Sequence, residues 1–148
     1  MLYFTYSERD KVGIFRSQIA PLLDKQTCDL YYECGGLHDW LLTEIFCSNT
    51  GMNVLEYSDC GSMTVQLRFW RWNQETVLIY RNVSSFQVEQ TTQGERTTYF
   101  PLPFGEFILG RFDILNGNIL CHGLRFAEGT IEIQAEDMKL RRIKMPCK

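Results

Sequence analysis

The chain has no apolar run near the roughly 18 residues needed to cross a bilayer, so no part of it reads as a membrane helix. Its opening residues, Met1 to Asp10, hold no basic segment followed by an apolar one, so the expectation is that there is no secretory signal and that the protein is cytoplasmic. Charge of one sign is also missing. The net charge is −3, without the basic excess that a general nucleic-acid binder uses to neutralise phosphates. Histidine occurs only twice, and there is no G-x-S-x-G elbow, P-loop, H-E-x-x-H or G-x-G-x-x-G. Internal repeats and Pro/Gly/Ser-rich linkers are absent too, which favours one domain over residues 1–148.

What is present is the composition of a folded domain. Of 148 residues, 45% are hydrophobic and 14% aromatic, enough to build a core without crosslinks. The six cysteines, Cys28, Cys34, Cys47, Cys60, Cys121 and Cys147, are therefore expected to be reduced thiols. Charge is uneven along the chain, with nine acids and four bases in residues 1–60 against nine acids and eleven bases afterwards.

Helical spacing is confined to the N-terminal stretch of 36 residues. Ser7 and Asp10 resemble a capping box ahead of Val12, Phe15 and Ile19, Pro21 suits the first turn of a second helix, and Gly35-Gly36 ends it. From Leu37 the period becomes two. Strands are expected over Leu41–Cys47, Met52–Tyr57, Met63–Trp72 and Val77–Tyr80, around Phe86 and Val88, and over Phe107–Leu115, Ile119–Phe126, Thr130–Ala135 and Met138–Ile143. Asn116-Gly117 is a strong hairpin signal, because a type I′ turn needs positive φ at both central residues. The predicted fold is mainly β (α+β): an antiparallel sandwich or barrel-like sheet, residues 37–148, with short N-terminal helices packed on it.

Candidate chemistry is thin. His38-Asp39 could pair a general base with its orienter, but neighbours in a strand face opposite ways, so a structural role for Asp39 in a turn is favoured. Cys34, His38, Cys121 and His122 lack the compact pairs of a zinc site, and His122 shares a strand face with Leu120, Leu124 and Phe126, as a buried, hydrogen-bonded histidine would. Glu132, Glu136 and Asp137 read as solvated charge. No catalytic residue, metal site or cofactor is expected.

Binding features are better supplied. Val65, Leu67 and Phe69 define one strand face, so Arg68, Trp70 and Trp72 fall on the other, and tryptophan and arginine are the residue types enriched at binding hot spots. In Tyr99-Phe100-Pro101-Leu102-Pro103-Phe104 the prolines forbid a central strand; Tyr99, Phe100 and Phe104 either plug the core edge or form an apolar patch.

The opening Met1-x-Tyr3-Phe4-Thr5, the Leu37-His38-Asp39 that starts the strands, Gly123–Phe126 and Thr130–Asp137 resemble a group of small bacterial cytosolic β-rich proteins. Chains of this style resemble the immunity proteins of polymorphic-toxin and contact-dependent inhibition systems. The resemblance implies a non-enzymatic module that binds a toxin domain and neutralises it by occlusion, with no catalytic residue to carry over. Phe69–Trp72 and Tyr99–Phe104 fall outside the shared pattern. The competing reading is a small-ligand-binding or enzymatic β domain with its site between sheets. Thiol titration of the denatured, unreduced protein should return six free thiols, and four or fewer would overturn the reduced-cysteine expectation.

Overall fold

A computed structural model describes residues 18–50, 62–90 and 104–143. Among the described residues one α-helix, α1 (Lys25–Glu33), precedes six strands: β1 (Leu41–Thr50), β2 (Ser62–Arg71), β3 (Gln74–Gln90), β4 (Phe107–Leu115), β5 (Ile119–Phe126) and β6 (Gly129–Ile143). All pair antiparallel in one sheet ordered β1-β2-β3-β6-β5-β4, which bears out the mainly antiparallel β expectation. The sheet is neither a sandwich of two sheets nor a closed barrel. It curls until its two edge strands touch at one end, through a single bridge between Leu41 and Glu106. The expected Met52–Tyr57 strand and the helix around Val12 and Phe15 lie outside the described residues.

Two strands are much longer than the sequence pattern suggests. The segments read as Val77–Tyr80 and Phe86–Val88 are one strand, β3, and Thr130–Ala135 and Met138–Ile143 are one strand, β6. Alternation hides this because both strands slip phase at the same level. In β3 the buried positions Leu78 and Tyr80 are followed by half-buried Val83, three residues on; in β6 buried Ala135 is followed by buried Met138. Asn82, at φ 52°, and Glu136 stand at that level and bond side chain to side chain at 3.0 Å. An extra residue in each strand bends the sheet while keeping the same face inward. A register shift between Val83 and Ser85 adds a further bulge in β3 alone.

The bend divides the pairing. Before it, β3 is flanked by β2 and by the C-terminal half of β6; beyond it, β6 is flanked by β5 and by the end of β3. Inside the curl lie Val65, Leu67, Phe69, Leu78, Leu124, Ile131, Ile133, Met138 and Leu140, all at most 2% exposed. Phe69 stacks on Phe126 and meets Phe107 edge-on, joining both halves. Truncating a ring so placed costs ~3–5 kcal/mol.

The helix covers an edge. Where β5 ends, β6 would present bare backbone; instead Thr27 of α1 accepts the Leu140 N–H through Oγ1 at 3.1 Å. Asp24 is the N-cap, accepting from the Thr27 N–H at 2.7 Å, and its other oxygen takes Arg141 Nη2 at 2.7 Å. The Arg141 hydrogen bond holds the Asp24 carboxyl well below the usual carboxylate range. The helix therefore starts after Asp24. Pro21 sits earlier, in a separate 3-10 turn (Ala20–Leu22), because its ring fixes φ but the extended Leu23 interrupts any helix. Gly35 (φ 61°) and Gly36 (φ 68°) end the helical segment as expected. The Asn116-Gly117 hairpin is also borne out, with φ 54° and 78°.

Across the inside of the bend, Tyr80 Oη lies 2.6 Å from His122 Nδ1, and the imidazole stacks on Phe112 at 4.0 Å. His122 is 3% exposed, and burial pushes its pKa down to about 3, so the ring is neutral in the fold. In the unfolded chain it titrates near 6.5. Between those values the unfolded state binds a proton that the fold refuses, so this contribution to stability is complete above 6.5 and is lost on acidification toward 3, by ~1.4 kcal/mol per pH unit. Denaturant titrations of the wild type and His122→Gln at pH 7 and pH 4 should show the stability difference between them shrinking by ~3 kcal/mol at pH 4. A difference independent of pH would contradict a neutral buried ring.

Candidate interaction surface

The strand-face argument places Arg68 correctly and Trp72 wrongly. Val65, Leu67 and Phe69 are fully buried, and Arg68 and Trp70 lie half-buried on the opposite face beside Val77 and Glu75 of β3. Trp72, however, has left the strand. Arg71 pairs with Gln74, so Trp72 and Asn73 are the two central residues of the β2–β3 hairpin, with φ 51° and 58°. Both positive angles identify the type I′ geometry that strand twist selects, and without glycine there the sequence gives no sharp signal of it. The indole is 78% exposed, with the Arg71 guanidinium 5.9 Å from its ring centre.

Arg71 links this tip to the segment before β1. Its Nη1 donates to the His38 carbonyl at 3.1 Å. His38 Nδ1 lies 2.9 Å from the Ile108 carbonyl, which can only accept, so Nδ1 carries the proton. His38 Nε2 stands 3.5 Å from the Asp39 carboxylate. The side chains expected to diverge therefore meet, because Asp39 has φ 66° and is not yet in a strand. Its N–H is held by the Phe107 carbonyl at 3.0 Å, and Phe107 donates in turn to Trp40 at 2.9 Å. His38 Nδ1 is thus engaged by the Ile108 carbonyl, and Nε2 lies beside the Asp39 carboxylate.

Backbone strain concentrates at this end. Among the described residues six non-glycine residues have positive φ, and four of them, Leu37, Asp39, Trp72 and Asn73, belong to the two segments bridged by Arg71. Leu37 is 1% exposed, so its burial offsets the conformation. No burial does this for Trp72.

The remaining candidates lie elsewhere. Tyr99 and Phe100 are outside the described residues. Phe104 is half-buried, meets Phe126 edge-on at 5.6 Å and lies so close to Gly129 that a Cβ there would collide with its ring, so it closes the core edge. Cys121 lines a groove of about 660 Å³ along β4, β5 and β6, with Arg111, Asp113, Arg125, Glu132 and Gln134. Burial raises its thiol pKa, and Asp113 and Glu132 add to the shift; Cys28, Cys34 and Cys47 are raised as well, burial being the largest cause, so none of the four is an activated thiolate. Glu132 faces that groove while Glu136 bonds Asn82, so these two carboxylates serve different places. Among the described residues no three His, Cys, Asp or Glu side chains converge as a metal site would require. Compared with known proteins, the chain matches no family model and no curated sequence.

The strained tip has a measurable signature. Asparagine tolerates positive φ better than tryptophan, and a side chain this exposed loses little packing on removal. Trp72→Asn should leave stability unchanged or raise it by up to ~1 kcal/mol in thermal or denaturant unfolding. A loss above ~1 kcal/mol would show that the indole is a structural element.

Proposed function

We propose that this chain is a non-enzymatic protein-binding module and that, in line with the resemblance seen in its sequence, it is an immunity-type protein that neutralises a cognate bacterial toxin domain by occlusion. Trp72 carries the reading. A bulky residue held in the left-handed region costs the fold roughly 1–2 kcal/mol, and at 78% exposure it recovers nothing from burial. A use outside the fold accounts for that cost. Tryptophan and arginine concentrate binding energy at interfaces, and Arg71 is already stacked near the indole, so the anchor is partly ordered before a partner arrives. Arg68 and Trp70 extend the surface along β2. In this reading the partner is a protein, the compartment is the cytoplasm, and neither cofactor nor membrane nor nucleic acid takes part.

The small-ligand or enzymatic alternative has one observation in its favour, the groove along β4, β5 and β6. The two readings separate on Trp72. The wild type and Trp72→Asn are to be titrated with the protein partner that the wild type captures from its source organism by affinity pull-down. Loss of a central anchor should raise Kd at least about thirtyfold, the equivalent of ~2 kcal/mol. Equal affinity for the two proteins, or a toxin left fully active by saturating wild-type protein, would overturn the occlusion reading.

A further inference from the structure

Of the six asparagines, Asn49, Asn53, Asn73, Asn82, Asn116 and Asn118, only Asn116 is followed by glycine; the others precede Thr50, Val54, Gln74, Val83 and Ile119. The difference is chemical. The backbone nitrogen that follows an asparagine can attack the amide carbon of that side chain, and a Cβ on the attacking residue stands in the way. Glycine has none, so its backbone admits a close approach. At Gly117 a Cβ would meet nothing within 4 Å, so the space beside this residue is open as well.

The turn holds the two groups apart, and its place in the fold lets them meet. Asn116 at φ 54° and Gly117 at φ 78° close the hairpin that pairs Leu115 with Ile119. The Asn116 backbone must rotate before the Gly117 nitrogen can reach Cγ, so the turn has to open first. Little opposes that opening. Leu115 is 46% exposed, and Asn116, Gly117 and Asn118 are exposed. The Asn118 N–H reaches the Leu115 carbonyl only at 3.3 Å, a long bond. β4 also stands last in the sheet order, beside β5. A solvated strand end with few buried contacts opens at low cost while the rest of the fold stays closed. The β2–β3 tip differs on both counts: it has no glycine, and Arg71 ties its base to the His38 carbonyl.

We propose that the Asn116-Gly117 turn is a self-modifying site, at which Asn116 converts through a succinimide to aspartate and isoaspartate. The Gly117 nitrogen gives its proton to solvent and bonds to Asn116 Cγ. The bond from Cγ to the side-chain nitrogen breaks, and that nitrogen takes up a proton and leaves as ammonia. Water then opens the ring. Cleavage between Cγ and the Gly117 nitrogen restores the backbone with an aspartate side chain. Cleavage at the main-chain carbonyl leaves the chain running through Cγ, as isoaspartate. Ammonia is lost, water is gained and nothing is oxidised. The two products differ in what they do to the hairpin. Aspartate accepts positive φ as asparagine does, so it keeps the turn and adds a negative charge near Asp113. Isoaspartate adds a carbon to the main chain of a turn whose register depends on its length, and so loosens the Leu115–Ile119 pair.

The test ages the full chain at about pH 8 and 37 °C over days and then cuts it with trypsin, which leaves Asn116 and Asn118 in one peptide, Phe112–Arg125. The expected result is steady growth of a form of this peptide heavier by about 1 Da, placed by fragmentation at residue 116 and not at 118. An isoaspartate-specific carboxyl methyltransferase should label the aged chain and not the fresh one. Gly117→Ala, whose methyl shields the nitrogen, should slow the growth at least about tenfold. If alanine at φ 78° prevents folding, Asn116→Gln replaces it and should show no gain at residue 116. A wild-type peptide that keeps its mass overturns the proposal. So does a gain as fast at Asn118 as at Asn116, or a variant that gains mass at residue 116 at the wild-type rate.

Discussion

The pairing of β3 with β6 is the constraint on which the structure depends. Among the described strands these two are the only ones with partners in both halves of the sheet, and each lends one part of its length to each half. Their shared phase slip at Asn82 and Glu136 decides the shape. Without it, strict alternation from Tyr80 and Met138 would turn Val83, Ala135, Ile133 and Ile131 outward. With an extra residue in each strand the sheet bends and the inward face stays inward, so Leu78, Met138 and Leu140 share one core with Ile131, Ile133 and Phe126. The Tyr80–His122 contact spans the inside of that bend, from β3 to β5. It is a polar tie in an interior that also buries Thr27 and Thr76, and burial keeps both of its groups neutral.

Curling the sheet also brings its ends together, and the candidate surface is a by-product of that closure. The bridge from Leu41 to Glu106 requires the chain to turn sharply between α1 and β1, and the left-handed angles at Gly35, Gly36, Leu37 and Asp39 make that turn. Core burial of Leu37 and Trp40 anchors it from below, at 1% and 4% exposure. The same turn presents the His38 carbonyl to Arg71, which fixes the base of the Trp72 hairpin. A strained loop and a strained hairpin are thus braced against each other by one guanidinium. Such bracing makes a rigid platform, and rigidity lowers the ordering cost when a partner binds.

Much of this was legible in the chain. The period-two run from Met63 to Phe69 fixed the inner face of β2, Asn116-Gly117 fixed the β4–β5 turn, and Gly35-Gly36 marked the end of the helical segment. The failures share a cause. Alternation detects a strand only while its phase holds, and the polar residues at the kink, Asn82, Ser84 and Glu136, look the same as a loop. Trp72-Asn73 hides a hairpin because the expected glycine is absent. His38 and Asp39 were separated by a strand rule that does not apply at φ 66°. In each case the local pattern was overruled by a backbone angle that tertiary contacts impose.

That pattern of failure bears on where function is to be sought. A side chain that breaks a local rule and is compensated by packing, as Leu37 is, serves the fold. Asn82 and Asn116 break the rule at little cost, since asparagine accepts positive φ. Among the described residues Trp72 alone combines a disfavoured backbone angle, a large apolar surface and exposure, with the hairpin pairing and the Arg71 guanidinium beside its ring to offset them. The groove along β4, β5 and β6 carries an imbalance of another kind: His122, which lines it, is buried with no hydrogen-bond partner on its Nε2 among the described residues, while the Cys121 thiol is held protonated. Energetic imbalance therefore marks both places, as a buried polar atom in the groove and as an exposed apolar ring at the hairpin tip.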